Sequence, residues 1–103
     1  MIHYFDNCAT TRVDDDVLRI LNDYAVEKYY NPSARSTFSM HVANDLAVAR
    51  ENIADKLGVS AGEIYFTSGG TESDNIAVLG ALRSKRGNIV VSAIEHSAVY
   101  NAV

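Results

Sequence analysis

Apolar residues recur at helical spacing in two long stretches of the first half of the chain. The first stretch has apolar residues at Val17, Ile20, Leu21, Tyr24 and Ala25. The second is predicted to form a helix from Thr37 to Leu57, because Gly58 is a typical helix stop. Its apolar positions are Val42, Leu46, Ala49, Ile53 and Leu57. A stripe of this kind marks one face of a helix, so we expect both helices to bury that face.

Two short apolar runs in the second half of the chain are typical of β-strands. Residues 64–66 are apolar and aromatic, and residues 89–94 form a β-branched run that suits a parallel strand buried on both faces. A helix predicted from Thr71 to Ser84 lies between them, and we expect it to be covered from more than one direction. This alternation predicts an α/β domain. Because two strands alone do not form a stable sheet, we expect an incomplete sheet in the N-terminal portion of a larger protein.

Three consecutive aspartates, Asp14, Asp15 and Asp16, precede the first predicted helix. They are either negative charges that interact favourably with the helix dipole or ligands of a metal ion. Consecutive side chains point in different directions, which favours the role at the helix start.

A turn of small residues, 67–70, separates the first predicted strand from the Thr71 helix. Thr71 and Asp74 resemble a capping box in which aspartate replaces the usual glutamate or glutamine. The unpaired N–H groups and partial positive charge at a helix start suit a phosphate, and hydroxyls of Thr71, Ser68 or Ser73 would add donors. The alternative is an ordinary strand-to-helix turn in which Thr71 only caps the helix.

A second polar cluster, Glu95 to Ser97, follows the second predicted strand, and Ser97 is a candidate cap for another helix. In parallel α/β sheets, ligands bind beyond the carboxyl ends of the strands. Both polar clusters are predicted to lie at such ends, which favours a binding site over two unrelated turns.

Composition and charge narrow the function classes. The 103 residues are 48% hydrophobic, and the formal net charge is −4. The negative net charge argues against general binding to nucleic acid or to anionic membranes. The largest basic cluster contains only Arg83, Lys85 and Arg86. The single cysteine, Cys8, excludes an internal disulfide, so we expect a cytoplasmic protein.

Five motifs occur in order along the chain: YFDNCATT at 4–11, NPS at 31–33, AR at 49–50, FTSGGTESDN at 66–75 and EHSAV at 95–99. Together they resemble the start of cysteine desulfurases of the NifS/IscS kind, within the class V aminotransferases. The resemblance covers essentially the whole chain. Its most specific part is the FTSGGTESDN block with the following Glu-His pair.

The resemblance implies pyridoxal 5′-phosphate (PLP) as cofactor and the large domain of a fold-type-I transferase. Residues 1–58 would form an N-terminal arm with helices, and residues 59–103 would begin the cofactor-binding α/β domain. By motif, Gly70 and Thr71 would hold the cofactor phosphate, and His96 would lie against the pyridine ring and assist proton transfer.

The resemblance also implies a substrate side to this site. Asn7, Ala9 and Thr10 would line that side. The loop 31–33 would lie near the entrance of the active site or contact a dimer partner. Cys8 stands where the family usually has alanine, so we expect a small buried thiol without a chemical role. After Asn-Pro the family usually has Ser-Ser-x-His-x-x-Gly, whereas this chain has Ala34, Ser36 and Ser39 at the last three of those named positions.

The implied activity is removal of sulfur from L-cysteine, which gives L-alanine and an enzyme persulfide for iron–sulfur cluster or thio-cofactor assembly. A homodimer and a sulfur-acceptor protein are expected. The Schiff-base lysine and the sulfur-accepting cysteine of the family lie later in its chains, so we expect the 103 residues alone to be inactive. The alternatives are another class V enzyme, such as a selenocysteine lyase or an aminotransferase, and a non-catalytic truncated module.

Overall fold

The computed structural model describes residues 3–84 and 87–103. These residues form four α-helices and one 3₁₀ turn, Ala61–Glu63. The helices are α1 (Asp15–Val26), α2 (Thr37–Leu57), α3 (Gly70–Ser84) and α4 (Ser97–Tyr100). Lys85 and Arg86 of the predicted basic cluster lie outside the described residues.

Helix α1 begins where the acidic residues predict. Asp14 is the N-cap, and its carboxylate accepts the N–H of Asp16 at 2.9 Å. Asp15 forms an ion pair of 2.5 Å with Arg12, and Asp16 forms one with Arg19. The predicted role of these aspartates at the helix start is therefore confirmed.

Helix α2 has the predicted bounds, Thr37–Leu57. Ser36 caps its N-terminus by accepting the N–H of Ser39 at 3.1 Å, and the Ser36 hydroxyl donates to the Ser39 hydroxyl at 2.9 Å. Gly58 ends the helix in the left-handed conformation, at φ 68°, which a residue without Cβ adopts at little cost. The sequence therefore predicted both ends of this helix correctly.

The predicted burial of the apolar helix faces is wrong for the described residues. Ile20, Leu21 and Leu57 are more than half exposed, and the only buried apolar residues described are Ala54, Ala98 and Ala102. Helix α3 also has exposed large apolar side chains, among them Ile76, Leu79 and Leu82. The periodicity correctly identifies which side of a helix is apolar, but burial also needs a partner surface.

The predicted strands are absent from the described residues, so the incomplete sheet is unconfirmed. Residues 64–66 and most of 89–94 have no regular secondary structure. Val90 and Ile94 are 96% and 94% exposed, in contrast to the predicted burial on both faces. A strand is assigned from a ladder of hydrogen bonds with a neighbouring strand, and no strand is assigned within residues 3–84 and 87–103.

The chain divides into two compact units, one ending at Ala61 and the other beginning at Gly62. In the first unit, the Tyr24 hydroxyl of α1 donates a hydrogen bond of 2.7 Å to Asp45 of α2. In the second unit, α3 and α4 contact each other. None of the helices described is long and apolar enough to cross a membrane.

Candidate functional site

The turn before α3 is tied to the first turn of that helix by the carboxylate of Glu72. The backbone N–H of Ser68 donates to Glu72 Oε2 at 2.6 Å, and the Ser68 hydroxyl donates to the same oxygen at 2.7 Å. These two bonds lower the pKa of Glu72, the backbone N–H contributing most. The carboxylate therefore remains ionised in this position at neutral pH.

A second contact, between the side chains of Thr67 and Ser73, closes the same turn. The hydroxyls of Thr67 and Ser73 are 2.7 Å apart, and the Thr67 hydroxyl also lies 3.2 Å from the carbonyl oxygen of Gly69. Ser68 and Ser73, two of the three hydroxyls predicted as phosphate donors, are thus engaged in closing the turn.

Helix α3 begins at Gly70, one residue earlier than predicted, and the predicted capping box is wrong. No hydrogen bond joins Thr71 to Asp74 within the described chain. Glu72, the third residue of the helix, instead accepts hydrogen bonds from the backbone N–H and the hydroxyl of Ser68, which lies two residues before the helix. Sequence reasoning missed Glu72, which lies four residues after Ser68 and binds it.

The start of α3 leaves backbone donors available. Helical N–H groups bond to the carbonyl four residues earlier, and the first such bond runs from Ser73 to Gly69 at 3.1 Å. The N–H groups of Gly70 and Thr71 have no acceptor among the described residues, and the Thr71 hydroxyl also has none there. A phosphate matches this set of donors in charge and number.

The paired glycines contribute space. Gly69 and Gly70 do not adopt positive φ, so the backbone freedom expected of them is not used. A Cβ atom added at either residue would meet no atom within 4 Å. The backbone at this turn is consequently open to the close approach of another group.

His96 lies at the start of α4 and is exposed. Its Nδ1 accepts the N–H of Ala98 at 3.1 Å, so His96, and not the predicted Ser97, caps the helix. This bond requires a lone pair on Nδ1 and leaves Nε2 as the nitrogen that carries the proton of a neutral ring. Gly70, Thr71 and His96 are thus carried by two helices that contact each other.

The predicted substrate-side residues lie in the first unit. Asn7, Ala9 and Thr10 are exposed and belong to a turn in which the N–H of Ala9 donates to the carbonyl of Asp6 at 3.1 Å. Cys8 is in the same turn and is exposed, so its predicted burial is wrong. A turn of four residues cannot enclose a side chain by itself, which explains the exposure.

The loop before α2 is held by its own residues. Asn31 Oδ1 accepts the N–H of Ser33 at 2.9 Å, and the Asn31 carbonyl accepts the N–H of Ala34 at 3.0 Å. The rings of Tyr30 and Phe38 stack with centroids 4.9 Å apart. The buried Ser39 is 2% exposed, and its hydrogen bond to Ser36 joins two of the positions at which the chain departs from the family pattern.

Comparison with known proteins shows extensive similarity. The family model described as "Aminotransferase class-V" matches residues 3–103. A cysteine desulfurase of Nostoc sp. is 42% identical over 100 residues, which are 95% of this chain and 25% of that protein. The cysteine desulfurase IscS of Methanosarcina thermophila is 44% identical over 99 residues, covering 93% of this chain and 24% of that protein.

Two further proteins of the same kind are also similar to this chain. The cysteine desulfurase NifS of Azotobacter vinelandii is 40% identical over 99 residues, covering 93% of this chain and 25% of that protein. A solved structure described as a NifS-like protein matches with a TM-score of 0.87 and 41% identity over 99% of this chain and 29% of its own. The chain therefore spans about a quarter of the length of the curated relatives it matches.

Proposed function

The chain belongs to the aminotransferase class-V family, and from that premise we propose that it supplies the phosphate-binding part of a PLP-dependent cysteine desulfurase. The proposal rests on the hydrogen-bond donors at the start of α3 that are unpaired in the described chain. There the free N–H groups of Gly70 and Thr71 and the Thr71 hydroxyl stand at an open turn. Similarity to three cysteine desulfurases supports the choice within the family.

PLP, when bound, supplies an electron sink for carbon chemistry next to an amino group. Gly70 and Thr71 would hold its phosphate, since the helix dipole and the N–H donors favour a dianion. His96 would lie against the ring, with Nδ1 fixed by Ala98 and Nε2 left to hold a proton. Asn7, Ala9 and Thr10 are proposed to line the substrate side.

The complete protein would take sulfur from L-cysteine and leave L-alanine and a persulfide. This reaction needs a lysine for the Schiff base and a cysteine for the sulfur, at positions that family chains reach beyond the part matched here. We propose that the 103 residues alone are inactive, and that the complete protein acts as a cytoplasmic homodimer. Its sulfur would pass to an acceptor protein for iron–sulfur cluster or thio-cofactor assembly.

Binding of PLP to the complete protein tests the cofactor site. Thr71→Ala should raise the Kd for PLP about tenfold, because it removes a hydrogen bond to a charged group. Thr37→Ala is the matched control, since Thr37 is also in the first turn of a helix but lies in the other unit. Equal binding of PLP and pyridoxal by the unsubstituted protein would refute phosphate recognition.

A product assay tests the reaction. With L-cysteine and a thiol reductant, the complete PLP-loaded protein should release equal amounts of L-alanine and sulfide. Release of alanine only from L-selenocysteine would point to a selenocysteine lyase, and amino transfer to a 2-oxo acid would point to an aminotransferase.

A further inference from the structure

The turn before α3 is fastened to the helix by side chains of two consecutive helical residues. Glu72 binds both donors of Ser68, and Ser73 binds the Thr67 hydroxyl. The turn from Thr67 to Gly69 is therefore connected to the first turn of α3 at two successive positions.

The two links are not equivalent. The Thr67–Ser73 link joins two neutral hydroxyls that rotate freely to other partners. The Glu72 link is charge-assisted, engages a backbone N–H and uses one oxygen for two short bonds of 2.6 and 2.7 Å. Glu72 therefore fixes the peptide backbone of the turn, which the other link does not do.

We propose that Glu72 is a positioning residue for phosphate recognition, and that it holds the turn in the shape that presents the N–H groups of Gly70 and Thr71. This inference rests on the proposed function. A turn that is already ordered loses less conformational entropy when a ligand binds, so preorganisation increases affinity.

Three substitutions distinguish the positioning role of Glu72 from the effect of its negative charge. Glu72→Ala removes the acceptor and the charge together, whereas Glu72→Gln removes the charge and keeps an acceptor oxygen. Asp74→Ala is the matched control, because it removes one negative charge from the same end of α3 and Asp74 makes no side-chain hydrogen bond to the described residues. Each variant is made in the complete protein that carries this sequence.

The first readout is the Kd for PLP measured on the apoprotein. Glu72→Ala should raise the Kd about tenfold, as expected for loss of a charge-assisted bond, while Glu72→Gln and Asp74→Ala should stay within about threefold of the unsubstituted protein. The second readout is amide hydrogen exchange of residues 66–70 without PLP. Exchange there should increase in Glu72→Ala and be restored in Glu72→Gln.

Three results would overturn the inference: unchanged PLP binding by Glu72→Ala, tighter binding by that variant, or equal weakening by Asp74→Ala. If Glu72→Ala does not fold, Glu72→Asp decides, because it keeps the negative charge but shortens the side chain by one methylene and should lose the bonds to Ser68. Unchanged PLP binding and unchanged exchange of residues 66–70 in Glu72→Asp would then reject the role of Glu72. Failure of the proposed function itself is distinct, since the unsubstituted protein would then bind pyridoxal as tightly as PLP.

Discussion

The hydroxyl of Tyr24 on α1 donates a hydrogen bond of 2.7 Å to Oδ2 of Asp45 on α2. The bond raises the pKa of Tyr24, so the phenol keeps its proton through the neutral range. Lys28 lies beside the pair, with Nζ 5.0 Å from the centre of the Tyr24 ring and 2.8 Å from Asp23. This hydrogen bond links two helices whose apolar faces are otherwise largely exposed.

Replacing Tyr24 with phenylalanine should lower the free energy of unfolding of the complete protein. We expect a loss of about 0.5–1 kcal/mol, because one hydrogen bond to a carboxylate is removed at a site that solvent reaches. Chemical denaturation measures the change. Tyr29→Phe is the control, since the Tyr29 hydroxyl has no hydrogen-bond partner in the described chain. An equal loss in both variants would show that the Tyr24 bond contributes nothing specific.

Acid should loosen the turn before α3 through Glu72. Its pKa in the folded chain lies below the ordinary value of 4.5, so its contribution to stability is present above about pH 4.5 and is lost as the pH falls through the folded pKa. Protection of the Ser68 amide against hydrogen exchange, corrected for intrinsic rates, should therefore decrease below about pH 4.5.

Glu72→Gln is the control for this acid effect. Glutamine has no proton to gain in this range, so the protection of Ser68 should become independent of pH there. A decrease of the same size in Glu72→Gln would assign the acid effect to another group.

The Ser36–Ser39 pair should stabilise the start of α2. Ser36→Ala should cost about 1 kcal/mol, because it removes the N-cap and leaves the buried Ser39 hydroxyl without its partner. Thermal denaturation of the complete protein measures this. The double variant Ser36→Ala/Ser39→Ala should cost less than the sum of the single variants, since each single variant breaks the same bond.

Ser33→Ala is the matched control for the pair. The Ser33 backbone N–H bonds to Asn31, but its hydroxyl makes no hydrogen bond to the described residues. We expect a change of less than about 0.5 kcal/mol for this exposed position. Additive costs in the double variant would contradict the coupling of Ser36 and Ser39.

Local signals predicted local features well. The aspartates at 14–16 and Gly58 correctly predicted helix boundaries, because capping depends on residues within one turn of the chain. At α3 the predicted start was one residue late and the predicted partner was wrong, because Asp74 and Glu72 both suit a helix start by type and only the geometry shows that Glu72 binds Ser68. The cap at His96 was missed because histidine is a less common N-cap residue than serine.

Features that depend on distant parts of a fold were not predicted correctly. The β-branched run 89–94 has the composition of a buried strand, but Val90 is almost fully exposed because pairing and burial require neighbours that local sequence does not specify. The site residues Gly70, Thr71 and His96 were selected through the family motifs, and their roles remain predictions. The open donors at Gly70 and Thr71 are consistent with those roles.

The 103 residues expressed alone should lack a cooperative thermal transition. The buried apolar residues described are three alanines, whereas Phe5, Val90 and Ile94 are each more than 90% exposed. Such a chain buries too little apolar surface to offset its conformational entropy. Differential scanning calorimetry should show no sharp peak, and the fluorescence of anilinonaphthalene sulfonate should increase several-fold over that with the complete protein, because the dye binds exposed apolar surface.

A variant distinguishes surface exposure from other causes of dye binding. Val90→Ser/Ile94→Ser removes two of the most exposed apolar side chains and should reduce the fluorescence of the isolated chain without changing its helix content. The matched control is Ser92→Ala, which lies in the same run and adds no large apolar group. A sharp calorimetric peak with a monomeric chain and no dye binding would show that the 103 residues form a core of their own.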